Sequence, residues 1–171
     1  MSEIKNQKCP ICNKTTLTLQ ETAQNIPDYG NCFIFSMSCS DCNYHKIDIE
    51  SEEEKSPSKQ TITIEKKEDF DIRVIKSSNA TIKIPQLKIS LTPNSSTTGY
   101  ISTIKGILSR IKKILEDQRD NAEDAKERKS FKNKLKKLWK VECNDETLKI
   151  TIEDPTGNSA ILSKKTEIKK L

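Results

Sequence analysis

Two short stretches, Cys9-Pro10-Ile11-Cys12 and Cys39-Ser40-Asp41-Cys42, decide the fold of the N-terminal part of this chain. The two residues between the cysteines of a pair let both sulfurs face one point, and two pairs supply the tetrahedral sulfur shell that zinc favours. Because protein sulfurs fill all four coordination positions, no position remains for a water or a substrate. The stretches therefore predict one structural Zn²⁺ ion, bound by Cys9, Cys12, Cys39 and Cys42.

The alternative to a zinc site is a pair of disulfide bonds or four unrelated thiols. The chain has 6 Cys among 171 residues, a Lys-rich composition and no apolar N-terminal run that resembles a signal peptide. Asn13 and Asn43 directly follow the two pairs, and asparagine tolerates the left-handed backbone that such positions commonly need. We therefore expect zinc rather than disulfides, and a cytoplasmic protein.

Three other side chains deserve comparison with this site. Cys32 lies in an apolar run and Cys143 follows a helix-like segment, so we expect each to be a buried small apolar side chain rather than a nucleophile or ligand. His45 stands three residues after Cys42 and is an alternative ligand. Four thiolates already complete the shell, so we leave His45 outside it.

The overall composition predicts a folded, soluble protein with a highly charged surface. Apolar residues make up 33% of the chain and charged residues 32%, and the apolar residues are regularly patterned. No run approaches the roughly 18 apolar residues that a membrane-spanning helix needs, so we expect no membrane partner. A chain of 171 residues has room for one ordinary domain and a small metal-binding unit.

The basic charge is concentrated in one segment, Lys126 to Lys140. The chain carries a net charge of +5, and the only acidic residue in this segment is Glu127. Such a segment can bind nucleic acid or an acidic protein. The alternative is a solvated helix face, which we favour because lysine lacks the planar fork with which arginine contacts phosphates and bases.

Residues 1–50 are predicted to form a zinc ribbon, with a strand at 15–21 and a returning strand at 33–38. The hairpin tip is Ile26-Pro27-Asp28-Tyr29-Gly30, in which proline and glycine favour a turn. Its apolar side chains belong to a unit with little core of its own, so we expect the tip to dock onto the rest of the chain or onto a partner. The charged segment 51–58 is predicted to be a linker.

Residues 59–171 are predicted to form a β-rich domain with a helical hairpin at about 98–141. Apolar and polar residues alternate in several short runs, as in a half-buried antiparallel sheet. The runs are 61–64, 70–74, 80–84, 87–91, 148–152 and 159–162. Within the hairpin the apolar spacing changes to three and four residues, which predicts two helices and places Trp139 on the apolar side of the second. We expect the Lys-rich C-terminal residues to fray.

The residue combinations of common catalytic sites are missing from the sequence. The chain has only 4 Gly, so it lacks a glycine-rich phosphate loop, and its single histidine stands beside a cysteine pair. No nucleophile and base can be paired from this set. We therefore expect a protein that is not an enzyme.

Several longer motifs resemble the ZPR1 family of zinc-finger proteins. They are the two cysteine pairs, Ile26-Pro27, Arg73-Val74-Ile75-Lys76-Ser77, Ala80-Thr81-Ile82-x-Ile84-Pro85, Thr98-Gly99-x-Ile101-x-Thr103-x-x-Gly106-x-Leu108 and Asp154-Pro155-x-Gly157-Asn158-Ser159. The chain is similar to the shorter archaeal members, which have one copy of a unit that eukaryotic members duplicate. The resemblance implies a mainly β, α+β fold, in which a zinc ribbon precedes a jelly-roll or double-stranded β-helix domain with an inserted helical hairpin.

The resemblance also implies that the protein binds translation elongation factor one-alpha and has a chaperone-like role in its folding or assembly. On this hypothesis, Ile26, Pro27 and Tyr29 supply an apolar contact at the ribbon tip. The polar contacts come from two loops and involve Ser77, Ser78, Asp154, Gly157, Asn158 and Ser159. The alternative function is a nucleic-acid-binding zinc ribbon that uses the Lys126 to Lys140 segment.

Overall fold

A computed structural model describes residues 2–94 and 96–171 of the chain, and it is mainly β with two long helices. The N-terminal unit is a four-stranded antiparallel sheet whose strands follow chain order. They are β1 (Ser2–Gln7), β2 (Leu17–Ile26), β3 (Gly30–Cys39) and β4 (His45–Ser51). The predicted hairpin is confirmed in β2 and β3, although both strands are longer than expected and the two outer strands were not predicted.

The remainder of the chain, which we call the body, contains two antiparallel sheets of five and three strands. The larger sheet has the order β12-β5-β10-β7-β8, and the smaller has the order β11-β6-β9. The strand bounds are β5 (Ser58–Ile64), β6 (Arg73–Lys76), β7 (Thr81–Ile84), β8 (Ile89–Leu91), β9 (Tyr100–Thr103), β10 (Leu148–Asp154), β11 (Ala160–Ile161) and β12 (Glu167–Lys170). Short 3-10 helices at Lys67–Asp71 and Pro85–Leu87 replace the starts of two predicted strands. Residues 52–57 connect the N-terminal sheet to the body.

Two helices, α1 (Ile104–Asn121) and α2 (Ala125–Glu142), form the inserted hairpin. An ion pair of 3.2 Å between Lys112 Nζ and Glu142 Oε2 crosses between them. The hairpin starts later than the predicted residue 98, because residues 100–103 pair with β6 as strand β9. Thr103 then caps α1, since its Oγ1 accepts a hydrogen bond of 3.2 Å from the Gly106 N–H.

The main core lies between the body sheets and the inner face of α1. The buried stripe of α1 consists of Ile104, Ile107, Leu108, Ile111 and Leu115. It packs against apolar side chains of β5, β7 and β10, including Ile62, Ile82 and Ile150. On α2 only Leu138 and Val141 are buried, so the expected inward placement of Trp139 is wrong, and its side chain is 56% exposed.

The C-terminus also differs from the prediction. Residues 167–170 form β12, which pairs with β5 from Glu167 opposite Thr61 to Lys170 opposite Ser58. The expectation of frayed residues is therefore wrong, because lysines are well tolerated on an edge strand whose outer side faces water. Within the described residues, no helix has the length and apolar character needed to cross a membrane.

Candidate metal centre and the contact between the two units

The four cysteine sulfurs of the N-terminal sheet meet at one point. Cys9 and Cys12 lie between β1 and β2, Cys39 ends β3, Cys42 precedes β4, and the four Sγ atoms lie within 4.8 Å of one another. The Cys9–Cys42 and Cys12–Cys39 sulfur distances are both 3.7 Å. A tetrahedral zinc with Zn–S bonds of ~2.3 Å requires sulfurs about 3.8 Å apart, whereas a disulfide requires about 2 Å. The geometry therefore fits a structural Zn²⁺ ion, as predicted.

The backbone after each pair has the conformation that the sequence predicts. Asn13 has a φ of 61° and Asn43 has a φ of 56°, so both occupy the left-handed region. The Asn13 N–H donates to the Cys9 carbonyl at 3.0 Å, which closes the first turn. The Ile11 N–H points at the Cys9 sulfur, 3.4 Å away. These turns direct the two sulfurs of each pair toward a shared point.

Polar groups around Cys39 favour its thiolate form. The Thr16 hydroxyl lies 3.2 Å from Cys39 Sγ, and this hydrogen bond, followed by one from the Cys42 backbone N–H, lowers the pKa of Cys39 to about 6. An ion pair of 2.6 Å between Lys14 and Asp41 links the two cysteine turns beside the sulfurs. Burial and the hydrogen bonds among the sulfurs raise the pKa of Cys42 to about 12, so these contacts favour the thiolate at Cys39 and not at Cys42. Zinc is bound by deprotonated sulfur, so metal binding at this cluster releases protons.

The other candidate side chains lie outside this cluster. Among the described residues, the four-cysteine group is the only cluster of potential ligands, and the exposed His45 does not belong to it. Cys32 is buried as expected, and its thiol lies 3.3 Å from the Gln24 carbonyl. The expectation of a buried Cys143 is wrong, since this residue caps the end of α2 beyond the last buried turn and is exposed.

An apolar contact joins the tip half of the N-terminal sheet to the body. Ile26, Cys32 and Ile49 from the sheet form a buried cluster with Ile75 of β6. The half-buried ring of Tyr29 packs against the same cluster. The predicted docking of the tip therefore occurs within this chain. Ile26 is buried there, whereas Pro27 at the turn stays exposed.

Polar groups extend this inter-unit contact. The Tyr29 hydroxyl donates to the Asn158 carbonyl at 2.7 Å, and the Asn158 side-chain oxygen accepts from the Ser51 N–H at 3.0 Å. Burial raises the pKa of Tyr29 to about 12, so its hydroxyl remains a donor at neutral pH. Gly157 has a φ of 74°, and a Cβ atom there would lie 2.5 Å from the Ser56 carbonyl oxygen. The loop can therefore approach the connecting segment only with glycine at this position.

A buried carboxylate, Asp154, organises the loop beneath this contact. It accepts hydrogen bonds from the Ser77 hydroxyl at 2.8 Å, the Ser159 hydroxyl at 2.5 Å and the Thr156 N–H at 2.8 Å. Burial alone would raise the pKa of Asp154, but hydrogen bonds from Ser159, Thr156 and Ser77 hold it below its usual value. The carboxylate is therefore ionised at neutral pH and fixes the loop that carries Asn158.

A second carboxylate contributes from the sheet side and was not predicted. Asp48 of β4 accepts from the Ser78 N–H at 2.9 Å and also binds the Ser78 hydroxyl. The neighbouring Ile47 carbonyl accepts from the Gly99 N–H at 2.7 Å. The only sequence signal of Asp48 is a charged residue between two isoleucines, which does not identify a distant partner.

The structure thus places most residues of the predicted partner-binding set in the inter-unit contact or in the body directly beneath it. The buried members are Ile26, Ser77, Ser78, Asp154, Gly157 and Ser159, whereas Tyr29 and Asn158 are half-buried and Pro27 is exposed. Ile26, Tyr29, Ser78 and Asn158 make contacts between the two units, whereas Ser77, Asp154 and Ser159 bond to one another within the body and support the loop that carries Asn158. Partner binding by these residues stays a prediction, and Pro27 is the member best placed for it.

The basic segment lies on the outer side of α2. Lys126, Lys129, Lys132 and Lys136 are exposed, and within the described residues none of them lies within 4.0 Å of a carboxylate. Lys140, by contrast, forms an ion pair of 2.8 Å with Glu146. The exposed Trp139 stands beside these lysines on the same helix.

Comparison with known proteins agrees with this architecture. Residues 68–170 match the family model described as the ZPR1 jelly-roll domain. A ZPR1-like protein of Pyrococcus horikoshii is 32% identical over 175 residues, which cover 100% of this chain and 78% of that protein. A ZPR1-like protein of Methanocaldococcus jannaschii is 29% identical, with 98% of this chain and 85% of that protein covered. The zinc finger chaperone zpr1 of Schizosaccharomyces pombe is 30% identical, with 90% of this chain but 33% of that protein covered. This chain belongs to the ZPR1 family of zinc-finger proteins.

Proposed function

We propose that this protein binds translation elongation factor one-alpha in the cytoplasm and assists its folding or assembly, without catalysing a reaction. The observation that carries the proposal is the similarity to a fission yeast relative named as a chaperone, which extends over 90% of this chain. The similar region is long enough to include both the zinc-binding sheet and the body. The elongation factor is the partner that the family resemblance implies.

The inter-unit contact supports a binding role because it presents the ribbon tip and the body as one surface. Tyr29 and Asn158 fix the tip side, and Asp48 and Ser78 fix the edge strand β4. A surface whose parts are already fixed loses less conformational entropy on binding than one that must be ordered. Pro27 then projects from a tip whose position is set by the body.

The zinc-binding end of the sheet offers a second exposed apolar group. Ile11 lies between the first two cysteines and is 64% exposed. The cysteine turns hold its backbone, so the side chain is displayed on a rigid base. Exposed apolar groups on rigid elements are suited to protein binding. Ile11 and Pro27 lie at opposite ends of the sheet and are the partner contacts that we propose on this unit.

The proposal of a non-catalytic role rests on the chemistry of the metal site. Four protein sulfurs fill the tetrahedral shell of zinc, so the ion has no open position for an activated water. The single histidine, His45, is exposed on β4 and belongs to no ligand cluster within the described residues. Zinc therefore supports the shape of the binding unit.

Calorimetric titration of purified elongation factor one-alpha with the zinc-loaded chain tests this function. We expect saturable binding, weaker binding for Pro27→Lys, and unchanged binding for Pro85→Lys, which alters an exposed proline of the body. An unrelated translational GTPase is the specificity control. The proposed partner is wrong if the wild-type chain does not bind the factor or binds both GTPases equally, and the tip contact is wrong if Pro27→Lys binds normally.

The outer side of α2 supports a second candidate function, binding of single-stranded nucleic acid. Lys129, Lys132 and Lys136 follow one side of the helix, and Trp139 offers an exposed ring on which a base can stack. Phosphate binding by lysines makes log affinity fall with log salt by about 0.7 for each phosphate neutralised on a single strand. Since the chain has 1 Trp, its fluorescence reports on this helix alone.

A salt series with a single-stranded RNA tests this candidate through that fluorescence. We expect quenching whose midpoint moves to higher RNA concentration as salt is raised. Lys132→Glu should weaken the quenching, while Lys169→Glu, an exposed lysine on β12, should leave it unchanged. Trp139 fluorescence that does not change when RNA is added at low salt would exclude nucleic acid as a ligand of this helix.

A further inference from the structure

The body contains a buried lysine that neither the zinc site nor the inter-unit contact uses. Lys76 at the end of β6 is 4% exposed. Its ammonium group donates one hydrogen bond, of 2.9 Å, to the Ser77 carbonyl. An ammonium group has three N–H donors, and within residues 2–94 and 96–171 no other acceptor lies within hydrogen-bond distance of this one. A buried lysine with unused donors is costly unless another group completes its shell.

Strand pairing places an aromatic ring and a second cation beside this lysine. Lys76 lies opposite Tyr100 in the pairing of β6 with β9. The Lys76 Nζ atom is 5.8 Å from the centre of the Tyr100 ring, and the Arg110 guanidinium carbon is 4.1 Å from it. The two cations therefore approach one ring, Lys76 from the sheet and Arg110 from α1.

These three residues line an open cleft of about 290 Å³ between α1 and the loop that precedes β9. Thr97 and Thr98 contribute polar groups to one wall, and apolar side chains of α1, including Ile107, form the other. Arg110 is exposed at the cleft, whereas Lys76 lies at a buried position. The cleft thus combines two cations with an apolar wall.

The nearest carboxylates do not satisfy these cations by direct contact. Burial lowers the pKa of Lys76, and the charges of Asp154 and Asp48 oppose this only in part, because neither carboxylate lies within the 4.0 Å of an ion pair. Their oxygens accept instead from Ser78 and from Ser77, Thr156 and Ser159. Arg110 likewise has no carboxylate within ion-pair distance among the described residues. Two of the three Lys76 N–H donors, and the Arg110 donors that do not face Tyr100, remain available to a ligand.

We propose that this cleft binds a carboxylate or phosphate group, with Arg110 and Lys76 as its two cationic contacts. A planar guanidinium donates two parallel hydrogen bonds to either group, and a lysine adds a compact charge. The anion comes from a small free molecule or from an acidic side chain of a protein. The proposal does not depend on the partner proposed above, because it follows from groups of the body alone.

NMR titration of the intact zinc-loaded chain at constant ionic strength tests the proposal, with the Arg110 Nε–Hε signal as the reporter. One probe is inorganic phosphate, and the other is a capped peptide whose only carboxylate is one glutamate side chain. We expect a saturable shift with at least one probe. Arg110→Gln and Lys76→Met, followed through the Gly99 amide, should each weaken binding at least about tenfold. Arg119→Gln is the matched control on α1, since Arg119 is ion-paired with Asp120.

Each outcome has a defined meaning. Tighter binding of phosphate assigns the site to a free anion, and tighter binding of the peptide assigns it to an acidic protein side chain. Arg110 is exposed, so Arg110→Gln keeps the test valid even if Lys76→Met does not fold. The proposal is overturned if neither probe gives a saturable shift, if Arg110→Gln binds as the wild type does, or if Arg119→Gln weakens binding equally.

Discussion

Two glycines allow the inter-unit contact to be tested by a matched pair of substitutions. Gly157 and Gly30 both have a positive φ, of 74° and 102°. A Cβ atom on Gly157 would lie 2.5 Å from the Ser56 carbonyl oxygen and 2.9 Å from the Lys55 carbonyl oxygen. A Cβ atom on Gly30 would meet nothing within 4 Å. The two alanine variants therefore share a backbone cost and differ in steric overlap.

The structure sets the expected difference between these variants. A left-handed conformation costs a residue with a side chain about 1–2 kcal/mol, and this cost applies to both Gly30→Ala and Gly157→Ala. Overpacking against a fixed group adds about 1–3 kcal/mol. This cost applies to Gly157→Ala alone, because only there does the new Cβ atom meet other atoms, and those atoms belong to the backbone and cannot rotate away. For a chain of this size, each kcal/mol corresponds to a Tm change of about 2–4 °C.

Urea unfolding and calorimetry with saturating zinc measure this difference. Gly157→Ala should lose more free energy of unfolding than Gly30→Ala by the overpacking amount. Its Tm should be correspondingly lower, and amides of the connecting segment 52–57 should exchange faster. Equal losses in the two variants would refute the close approach of the Gly157 loop to Lys55 and Ser56.

Three further predictions concern the inter-unit contact and the metal site. Tyr29→Phe removes the donor to the Asn158 carbonyl, so urea unfolding should show a loss of about 1–3 kcal/mol, and an unchanged stability would mean that water replaces the hydroxyl. Because the pKa of Asp154 is lowered, its stabilising contribution is complete above its unfolded pKa of about 3.9 and is lost as pH falls through the native pKa. Asp154→Asn should therefore reduce the fall in the free energy of unfolding at acid pH, measured by urea unfolding as a function of pH. An acid dependence equal to that of the wild type would mean that Asp154 contributes no more than an exposed carboxylate does. Cys39→Ser should lose zinc and expose the amides beside the cysteine turns to hydrogen exchange, which an elemental analysis and an exchange measurement would check together.

The metal site could be predicted from the sequence because its determinants are local. A spacing of two residues sets the geometry of each cysteine pair, and Asn13 and Asn43 supply the left-handed positions that follow. Alternation likewise identified the longest body strands, since β5 and β10 each keep one apolar face toward the core. These features depend on neighbouring residues and require no knowledge of the fold.

The inter-unit contact could not be predicted in the same way because its partners are far apart in sequence. Tyr29 and Asn158 are separated by 129 positions, and Asp48 and Ser78 by 30. Asn158, Asp48 and Ser78 are of residue types common in exposed turns, so their types do not reveal burial. The family motifs did mark the loops that contain Ser78 and Asn158, but they did not show that these loops face the same chain.

Exposure on the outer side or at the end of an element could not be predicted from residue type either. Trp139 and Cys143 are apolar in type, yet Trp139 lies on the outer side of α2 and Cys143 follows its last residue, so neither packs with the buried Leu138 and Val141. Composition also suggested fraying for the lysines of β12, although backbone pairing with β5 does not depend on side-chain polarity. Such positions are decided by what covers an element, and a single sequence does not contain that information.

The N-terminal sheet is held at two places that lie far apart along its strands. The 10 residues of β2 span about 30 Å, from Leu17 beside the metal site to Ile26 at the tip. Separate apolar clusters surround the cysteines and the tip, so neither cluster alone can order the whole sheet. Zinc fixes the first end, and the body fixes the second through the Tyr29 hydroxyl. A sheet with little core of its own is thereby kept in one position relative to the body, and this fixed position also sets where the exposed side chains of Ile11 and Pro27, the partner contacts that we propose, stand at its two ends.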